Sequence, residues 1–293
     1  MIERRKTRQL HVGSVAVGGD APIAVQSMTN THTDDAAATL EQIQRLADAG
    51  CDIIRCAVPD MAAAEGLKTI CKKSPIPVIA DIHFDYRLAI AAIECGADEA
   101  MDYRNIKISL KAHDVPLTLE AYRLMAAQCD YPLHVGITEA GTVNSGIIKS
   151  AVGIGTLLAE GIGDTIRVSL TGDPVNEVRV AYDILKSLGL REHGPTLISC
   201  PTCGRTRISL EKLALEVERR LADVEEPITV AVMGCVVNGP GEAREADVGI
   251  AGGIGEGLVF RKGEILRKVP EEQLVSELFA EIDKILLERK VSR

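Results

Sequence analysis

Three cysteines have the residue type and spacing that point most directly to chemistry in this chain. Cys200 and Cys203 form a Cys-x-x-Cys pair, and Cys235 follows 32 residues after the pair. Such a pair occurs in redox dithiols, zinc sites and iron-sulfur sites, and taken alone it favours zinc. The third cysteine argues against a simple dithiol. The pattern therefore predicts a metal centre.

The fourth ligand of that centre is not predicted to be a sulfur. A structural zinc site uses a fourth Cys or His, but the sequence near Cys235 offers Gly-Pro-Gly-Glu at 239–242 instead. Soft thiolates suit iron, and a hard carboxylate oxygen would hold one further iron loosely enough to be displaced. We therefore favour an iron-sulfur cubane. Zinc bound with a ligand from elsewhere in the chain is the minor alternative.

A second group of reactive side chains follows short apolar segments in the first two thirds of the chain. Its members are Arg55, His83, Lys111, Glu139 and Ser169. Polar residues at the carboxyl ends of parallel strands form the active sites of barrel enzymes and doubly wound sheets. One such residue alone would be read as a solvent-exposed strand end. Five of them favour a shared site.

The elements that must position these residues are short strands alternating with amphipathic helices. The hydrophobic pattern predicts strands over 23–27, 52–58, 78–83, 105–111, 133–138 and 165–170. Helices are predicted over 36–49, 62–71, 117–128 and 175–188. This alternation is typical of an α/β fold with a parallel sheet. The two-residue period of strands places Arg167 with Ser169, and Lys107 with Lys111, on common faces.

The alternation of strand and helix patterns changes after Leu190, where Arg-Glu-His-Gly-Pro has the composition of a linker. We expect a barrel-type domain over 1–191 and a smaller α+β domain over 192–293. The glycines between 252 and 257 are not preceded by a strand and followed by Lys and a helix, so we interpret them as turn residues and not as a phosphate loop. The basic run at 4–6 is expected to be a solvated terminus.

Composition excludes several classes of protein. The net charge is −9, aromatic residues make up 3% and Trp is absent, which argues against nucleic-acid binding through a basic face with stacking rings. No segment approaches the roughly 18 apolar residues of a membrane helix. Eight cysteines without a secretory signal are expected to be thiols or metal ligands in the cytoplasm.

Five segments resemble the signature motifs of one enzyme family. They read AVQSMTNT at 24–31, ADIHFD at 80–85, GITEAG at 136–141, CPTC at 200–203 and GCVVNGPGE at 234–242. Their order and their spread over nearly the whole chain make it similar to the 4-hydroxy-3-methylbut-2-enyl diphosphate synthases, which are iron-sulfur enzymes of isoprenoid biosynthesis by the methylerythritol phosphate pathway.

The resemblance implies a fold and a reaction. The fold is an eight-stranded TIM-like barrel followed by a small iron-sulfur domain, in a homodimer where the iron-sulfur domain of one subunit covers the barrel of the other. The reaction is the reductive ring opening and dehydroxylation of 2-C-methyl-D-erythritol 2,4-cyclodiphosphate. Ferredoxin or flavodoxin supplies two electrons through a [4Fe-4S] cluster.

The resemblance also implies a role for particular residues. The expected cluster ligands are Cys200, Cys203, Cys235 and Glu242. The acid-base residue would be Glu139. The expected diphosphate ligands are the cations Arg55, Lys111 and Arg167, with Thr138, Ser169 and Asn238 as further polar contacts. Several converging cations are what an anionic substrate needs in a chain of negative net charge.

The chain departs from the family between residues 83 and 111, where two strand-and-helix units are missing. We therefore expect a barrel shortened to about six βα units, which cannot close as an eight-stranded barrel does because strand number, tilt and shear are linked. The missing units carry Arg and Asn residues that the family uses on the diphosphate. Two functions follow as alternatives: an active synthase, or a metal-cluster protein of the same descent that has lost turnover.

Overall fold

Short strands and helices alternate along the first two thirds of the chain, as the hydrophobic pattern predicts. The computed structural model describes residues 2–83, 85–96, 106–235 and 243–291. The chain divides into two units, Met1–Glu192 and His193–Arg293. Among the described residues, no helix combines the length and the apolar composition that crossing a membrane requires.

The first unit contains seven strands and six helices in its described residues. The strands are β1 (Leu10–Val12), β2 (Val15–Val17), β3 (Ala24–Met28), β4 (Ile53–Ala57), β5 (Val78–Asp81), β6 (His134–Val135) and β7 (Thr165–Ile166). The helices are α1 (Ala36–Asp48), α2 (Met61–Lys73), α3 (Tyr86–Glu94), α4 (Val115–Gln128), α5 (Val143–Ala159) and α6 (Pro174–Ser187).

Aspartates define the starts of five of these helices. In each case the carboxylate accepts a hydrogen bond from a backbone N–H of the first helical turn, which otherwise has no partner. The capping residues of α1, α2, α3, α4 and α6 are Asp35, Asp60, Asp85, Asp114 and Asp173. Asp60 and Asp85 lie three and four residues after the ends of β4 and β5, so these two strand-to-helix turns are specified locally by the sequence.

Five of the strands form one parallel sheet in the order β5-β4-β3-β7-β6. Ile108 adds an isolated parallel bridge to Leu133, just before β6. The predicted strand over 105–111 is therefore reduced to a bridge, and those over 133–138 and 165–170 are shorter than expected. The described residues show no ladder between 106–111 and β5, so within them the sheet does not close.

The two faces of this sheet differ in chemistry. One face packs on the helices through apolar side chains such as Ile54 and Cys56. The other face begins with an apolar layer, which includes Ile53 and Ile79 and packs against the β1-β2 hairpin. Further along the same strands this face becomes charged. The hairpin thus covers the amino ends of the strands, and polar residues gather at the carboxyl ends.

Two residues of the basic run near the start of the chain, Arg4 and Arg5, are not solvated as the sequence predicted, whereas Lys6 is exposed. Arg4 Nη2 lies 3.2 Å from the carboxylate of Asp164, which is 2% exposed. Arg5 Nη1 donates to the carbonyl of Cys129 at 2.6 Å. The same aspartate accepts from Leu133 N at 2.8 Å. A buried carboxylate needs such donors, and this one ties the N-terminal segment to the amino ends of β6 and β7.

The second unit is built on a mixed five-stranded sheet. Its strands are β8 (Thr196–Ser199), β9 (Thr229–Met233), β10 (Val248–Gly252), β11 (Glu256–Arg261) and β12 (Glu264–Pro270). The strands β8, β9 and β10 are parallel neighbours, and β11 and β12 continue the sheet antiparallel. Helices α7 (Leu210–Leu221) and α8 (Leu274–Val291) contribute to one apolar core with the sheet.

Candidate functional site

Two arginines converge on a methionine at the carboxyl ends of β3, β4 and β7. The Arg55 guanidinium lies 3.2 and 3.4 Å from the Met28 Sδ atom, and Arg167 Nη1 lies 3.7 Å from the same atom. Met28 and Arg55 are register partners in the β3-β4 pair. A thioether is a weak acceptor, so both guanidinium groups keep strong donors that are not used on it.

Lys111 belongs to the same cluster of cations. Burial lowers the pKa of its ammonium group, and the positive charges of Arg55 and Arg167 lower this pKa further. Asp81 opposes these effects and lies 3.7 Å from Arg55 Nε. His83 Nε2 lies 3.3 Å from the other oxygen of this carboxylate. The sequence could not separate a positioning role for this pair from a rim contact, and the structure places the pair next to Arg55.

Glu177 is the second carboxylate of the cluster and comes from helix α6. Its Oε2 atom lies 3.7 Å from Arg167 Nε, and its side chain is buried. Burial raises the pKa of Glu177, and the charge of Arg167 opposes this rise. The three cations Arg55, Lys111 and Arg167 thus face the two carboxylates of Asp81 and Glu177. This balance leaves a positive region suited to an anionic ligand.

A layer of polar side chains lies next to the cations, toward the amino ends of the strands. His134 is 4% exposed, and its Nδ1 atom lies 2.8 Å from the Thr165 hydroxyl. Lys107 Nζ donates to Gln26 Oε1 at 3.0 Å. Burial lowers the pKa of His134 well below its usual value, and the charges of nearby Lys107 and Lys111 act in the same direction. This histidine is therefore neutral near pH 7.

Glu139 stands beyond the end of β6 in an unusual backbone conformation. Its φ is +54°, in the left-handed region that non-glycine residues rarely occupy, and its side chain is exposed. The preceding residue is held in place, because Thr138 N donates to Ala112 O at 3.0 Å. Strained residues of this kind are concentrated at functional sites. Ser169 is half-buried two residues after Arg167.

The cysteines lie at the carboxyl ends of two adjacent parallel strands of the second unit. Cys200 directly follows β8 and Cys235 lies two residues after β9. The Gly234 N–H donates to Cys200 Sγ at 3.1 Å, and Arg207 N donates to Gly234 O at 3.0 Å. A side chain at position 234 would clash, since its Cβ would lie 2.9 Å from Thr206 Oγ1. The two segments are therefore held in close contact.

The three thiols differ in exposure. Cys235 is buried, Cys200 is half-buried and Cys203 is exposed. Hydrogen bonding from the backbone of Arg205 lowers the pKa of the Cys203 thiol. Within the described residues, no three His, Cys, Asp or Glu side chains converge as a metal site requires. The predicted ligand Glu242 and the predicted contact Asn238 lie outside the described residues.

The sequence motifs did not assign roles to two residues that the structure places in the cation cluster. Met28 belongs to the motif at 24–31, but the resemblance gives it no role, and Glu177 belongs to none of the motifs. A signal for Glu177 was present: it falls on the apolar face of α6 together with Val178, Ala181 and Leu185, all of which are buried. An acidic residue at such a position needs a buried partner, which here is Arg167.

These features define a class of protein: an α/β chain with a parallel sheet, a cluster of cations near its strand ends, and a second unit that presents cysteines. Sequence comparison gives the family. The profile of the GcpE TIM-barrel domain matches residues 7–101 and 97–182, and the profile of the GcpE protein C-terminal domain matches 196–284. The chain belongs to the GcpE family.

Curated relatives are similar over nearly their whole length. The 4-hydroxy-3-methylbut-2-en-1-yl diphosphate synthase (flavodoxin) of Geobacter sulfurreducens is 55% identical, with 98% of this chain and 99% of the relative covered. The enzyme of the same name from Caldanaerobacter subterraneus is 51% identical, with 98% and 100% covered. That from Maridesulfovibrio salexigens is 49% identical, with 99% of each chain covered.

The alignments also locate a difference in length. The first alignment runs over 351 positions, 58 more than the 293 residues of this chain, so at least 58 positions of the relative have no counterpart here. The two matches to the barrel profile meet at residues 97–101. These residues lie between β5 and Ile108 in the sequence, within the stretch where the motifs predict that two units are missing.

Proposed function

We propose that this chain is a 4-hydroxy-3-methylbut-2-en-1-yl diphosphate synthase, an oxidoreductase of isoprenoid biosynthesis. It opens the ring of 2-C-methyl-D-erythritol 2,4-cyclodiphosphate, takes up two electrons and two protons, and releases water. The observation that carries this proposal is the nearly end-to-end similarity to enzymes of that name, at 55% identity for the Geobacter sulfurreducens relative. The cation cluster supplies the site that a cyclic diphosphate needs.

Arg55, Lys111 and Arg167 are the proposed ligands of the diphosphate. Arg55 and Arg167 are half-buried and Lys111 is exposed. The guanidinium groups of Arg55 and Arg167 make only weak contacts with the Met28 thioether, so donors remain for a ligand. Phosphate oxygens are strong acceptors for such donors, so the arrangement favours an anion with several oxygens.

Glu139 is the proposed acid-base residue. It lies at a strand end of the same sheet, is exposed, and is held in a left-handed backbone conformation that orients its side chain independently of the strand. Thr138 and Ser169 are the proposed polar contacts from β-strand ends, together with Asn238. A carboxyl group at this place can donate a proton to a leaving hydroxyl or accept one from a substrate hydroxyl.

Cys200, Cys203, Cys235 and Glu242 are the proposed ligands of a [4Fe-4S] cluster. The donor set fits such a group, because cysteines lie at neighbouring strand ends and a backbone N–H already donates to Cys200 Sγ. Hydrogen bonds to sulfur are typical of iron-sulfur sites and help to set their reduction potential. When bound, the cluster supplies the electrons for the reduction. Glu242 offers oxygen in place of a fourth sulfur.

The proposed partners follow from the relatives. The relatives carry flavodoxin in their names, so a flavodoxin is the proposed electron donor, with ferredoxin as the other possibility. We further propose a homodimer, in which the cysteine-bearing domain, 192–293, of one subunit serves the barrel domain, 1–191, of the other. The cytoplasm is the proposed location.

We also propose that the barrel of this chain is shortened to about six βα units. Support comes from the 58 unmatched alignment positions and from a sheet of five strands plus one bridge. The sheet order joins β3 to β7, so the first and last strands of the barrel pair with each other, as in a closed barrel. The two missing units would then lie between β5 and Ile108, at the opposite side.

The shortening favours a second candidate function, which is a cluster-binding protein that has lost turnover. The missing units would carry further ligands for the diphosphate, and losing two charge-assisted contacts at about 1.5–3 kcal/mol each would weaken binding a hundredfold or more. Both functions require iron and sulfide in the protein. They differ in whether the cyclodiphosphate is converted.

An anaerobic assay tests the proposal. The purified chain, reconstituted with iron and sulfide, is incubated with the cyclodiphosphate and reduced flavodoxin, and the linear diphosphate is measured by mass spectrometry. We expect product in proportion to protein, and none with the chain stripped of iron. Bound iron and sulfide without product would instead support the cluster-binding protein. Zinc in place of iron would contradict both functions.

A further inference from the structure

The carboxylate of Glu177 joins β3 to β7 beyond the point where their hydrogen-bonded ladder stops. The ladder consists of two register pairs, Ala24 with Thr165 and Val25 with Ile166. Further along, Glu177 Oε2 accepts from Ser27 Oγ at 3.1 Å. Its other oxygen, Oε1, accepts from the backbone N–H of residue 170 at 3.0 Å. Both oxygens of this carboxylate, which is 5% exposed, therefore have neutral donors.

Arg167 is attracted to this carboxylate without sharing a hydrogen bond with it. The distance from Arg167 Nε to Glu177 Oε2 is 3.7 Å, and Nε has no hydrogen-bond partner among the described residues. On the other side, Arg167 Nη1 lies 3.7 Å from Met28 Sδ. A charge on one side and a thioether on the other orient the guanidinium, and neither takes up its donors strongly.

We infer that Glu177 is a positioning residue: its buried negative charge holds Arg167 in the orientation that binds diphosphate. This inference rests on the proposed function, which assigns the diphosphate to Arg167. The nearby cation Arg55 repels Arg167, so without Glu177 the two guanidinium groups would move apart. Glu177 thus acts on the ligand through Arg167 and does not touch the ligand itself.

A purely structural role is the competing explanation, because the same carboxylate ties together Ser27 and the segment after β7. The substitution Glu177→Gln separates the two roles. The amide keeps the shape and can still accept from the backbone N–H, and the Ser27 hydroxyl can rotate to accept from the amide nitrogen. The substitution removes the charge and retains both contacts.

The test is a double-mutant cycle on the binding of inorganic diphosphate, measured by calorimetry with the full chain. We expect Glu177→Gln to weaken binding about tenfold in the wild-type background. In the Arg167→Met background, we expect Glu177→Gln to change the affinity by less than about twofold, because its effect needs the guanidinium. An equal loss in both backgrounds would overturn the inference.

Two control variants sharpen this test. Asp183→Asn removes a charge from an exposed carboxylate on the same helix, where the partner is Lys186. Ser27→Ala removes one contact of Glu177 but keeps its charge. Both variants should bind diphosphate within about twofold of the wild type, if charge at Glu177 decides the affinity. A tenfold loss of diphosphate affinity in Ser27→Ala would show that the contact between Glu177 and Ser27, and not the charge of Glu177, controls binding.

The outcomes separate this inference from the proposed function, because diphosphate binding requires neither electrons nor the cluster. If the wild-type chain converts the cyclodiphosphate and the Glu177→Gln variant binds diphosphate as tightly as the wild type, the inference alone is overturned. A wild-type chain without affinity for diphosphate contradicts the assignment of the cation cluster as well. If Glu177→Gln does not fold, Ser27→Ala still tests the inference, because a tenfold loss of diphosphate affinity in that variant would overturn it.

Discussion

The two units of this protein place reactive side chains at the carboxyl ends of parallel strands in different ways. In the first unit, Arg55, Arg167 and Met28 are in contact, and carboxylates flank the cations. In the second unit, Cys200 and Cys235 lie at adjacent strand ends, but the thiols differ in exposure and form no metal site among the described residues.

This contrast indicates how each site depends on its ligand for assembly. Cations can be brought together by the fold when carboxylates balance part of their charge, so an anion meets a site that is already assembled. Thiolate ligands are usually brought together by the metal itself, whose binding is coupled to local folding. We therefore expect the cation cluster to bind its ligand in protein that lacks metal. The cysteine site is expected to assemble only when the metal binds.

The largest expected effect tests the independence of the two sites. Cys235→Ser replaces a soft ligand by a poor one, so we expect loss of nearly all iron and sulfide from protein prepared without oxygen. Affinity for diphosphate should be unchanged. Iron and sulfide analysis, together with calorimetry, measures both. Cys129→Ser, which alters a thiol in contact with Met125 O, is the matched control and should keep its iron. Unchanged iron in Cys235→Ser would contradict the proposed ligand set.

A second prediction separates binding from chemistry within the first site. Glu139→Gln removes the titratable proton but hardly changes size, so turnover should fall by about a hundredfold or more, while iron content stays the same. The anaerobic assay with reduced flavodoxin measures this loss. Glu120→Gln, on the exposed side of α4, should leave turnover unchanged. Full activity in Glu139→Gln would remove this residue from the mechanism.

A third prediction concerns the charge of the assembled cation cluster. Lys111→Met should weaken diphosphate binding about tenfold or more without changing iron content. Because the pKa of Lys111 is lowered, its charge is lost at a lower pH than that of an ordinary lysine, and wild-type affinity should fall as the pH is raised toward that pKa. Calorimetry across alkaline pH tests this. The loss should be smaller in Lys111→Met, and Lys149→Met on α5 should resemble the wild type.

The smallest expected effect is on the stability of the folded chain and comes from His134, in the polar layer next to the cation cluster. Since the pKa of His134 is lowered in the folded chain, acid protonates this residue first in the unfolded chain. Stability should therefore fall as the pH drops below about 6.5, by up to about 1.4 kcal/mol per pH unit from this group. Denaturant unfolding should show a shallower acid slope for His134→Gln. His11→Gln, at an exposed position, should leave the slope unchanged, and equal slopes in all three proteins would contradict the prediction.

Much of the first site was predictable because strand periodicity determines which residues share a face. Arg55 and Arg167 were expected at strand ends; the structure places Arg55 within β4, two residues before its end, and Arg167 directly after β7, with both side chains at Met28. The extent of the strands was not predictable. The segment 105–111 has a strand-like pattern, yet only Ile108 pairs among its described residues, since pairing depends on neighbours that the local pattern does not specify.

The residues missed by sequence reasoning share a physical cause. Glu177 acts from a helix, and its partners lie on β3 and after β7, between 7 and 150 residues away along the chain. The contacts of Arg4 with Asp164 and of Arg5 with Cys129 join residues that are 160 and 124 positions apart in the sequence. A local pattern cannot reveal such partners, because it records the polarity of a side chain and not the group that satisfies it.

The α/β alternation, the aspartate helix caps, the cysteine spacing and the family follow from the sequence, because these depend on residue types at short separations or on motifs in order. The strand order β5-β4-β3-β7-β6, the meeting of two arginines on Met28 and the position of the Glu177 carboxylate beside Arg167 are apparent only in the tertiary structure. Those contacts join segments far apart in the chain, and only packing and charge balance in three dimensions bring them together.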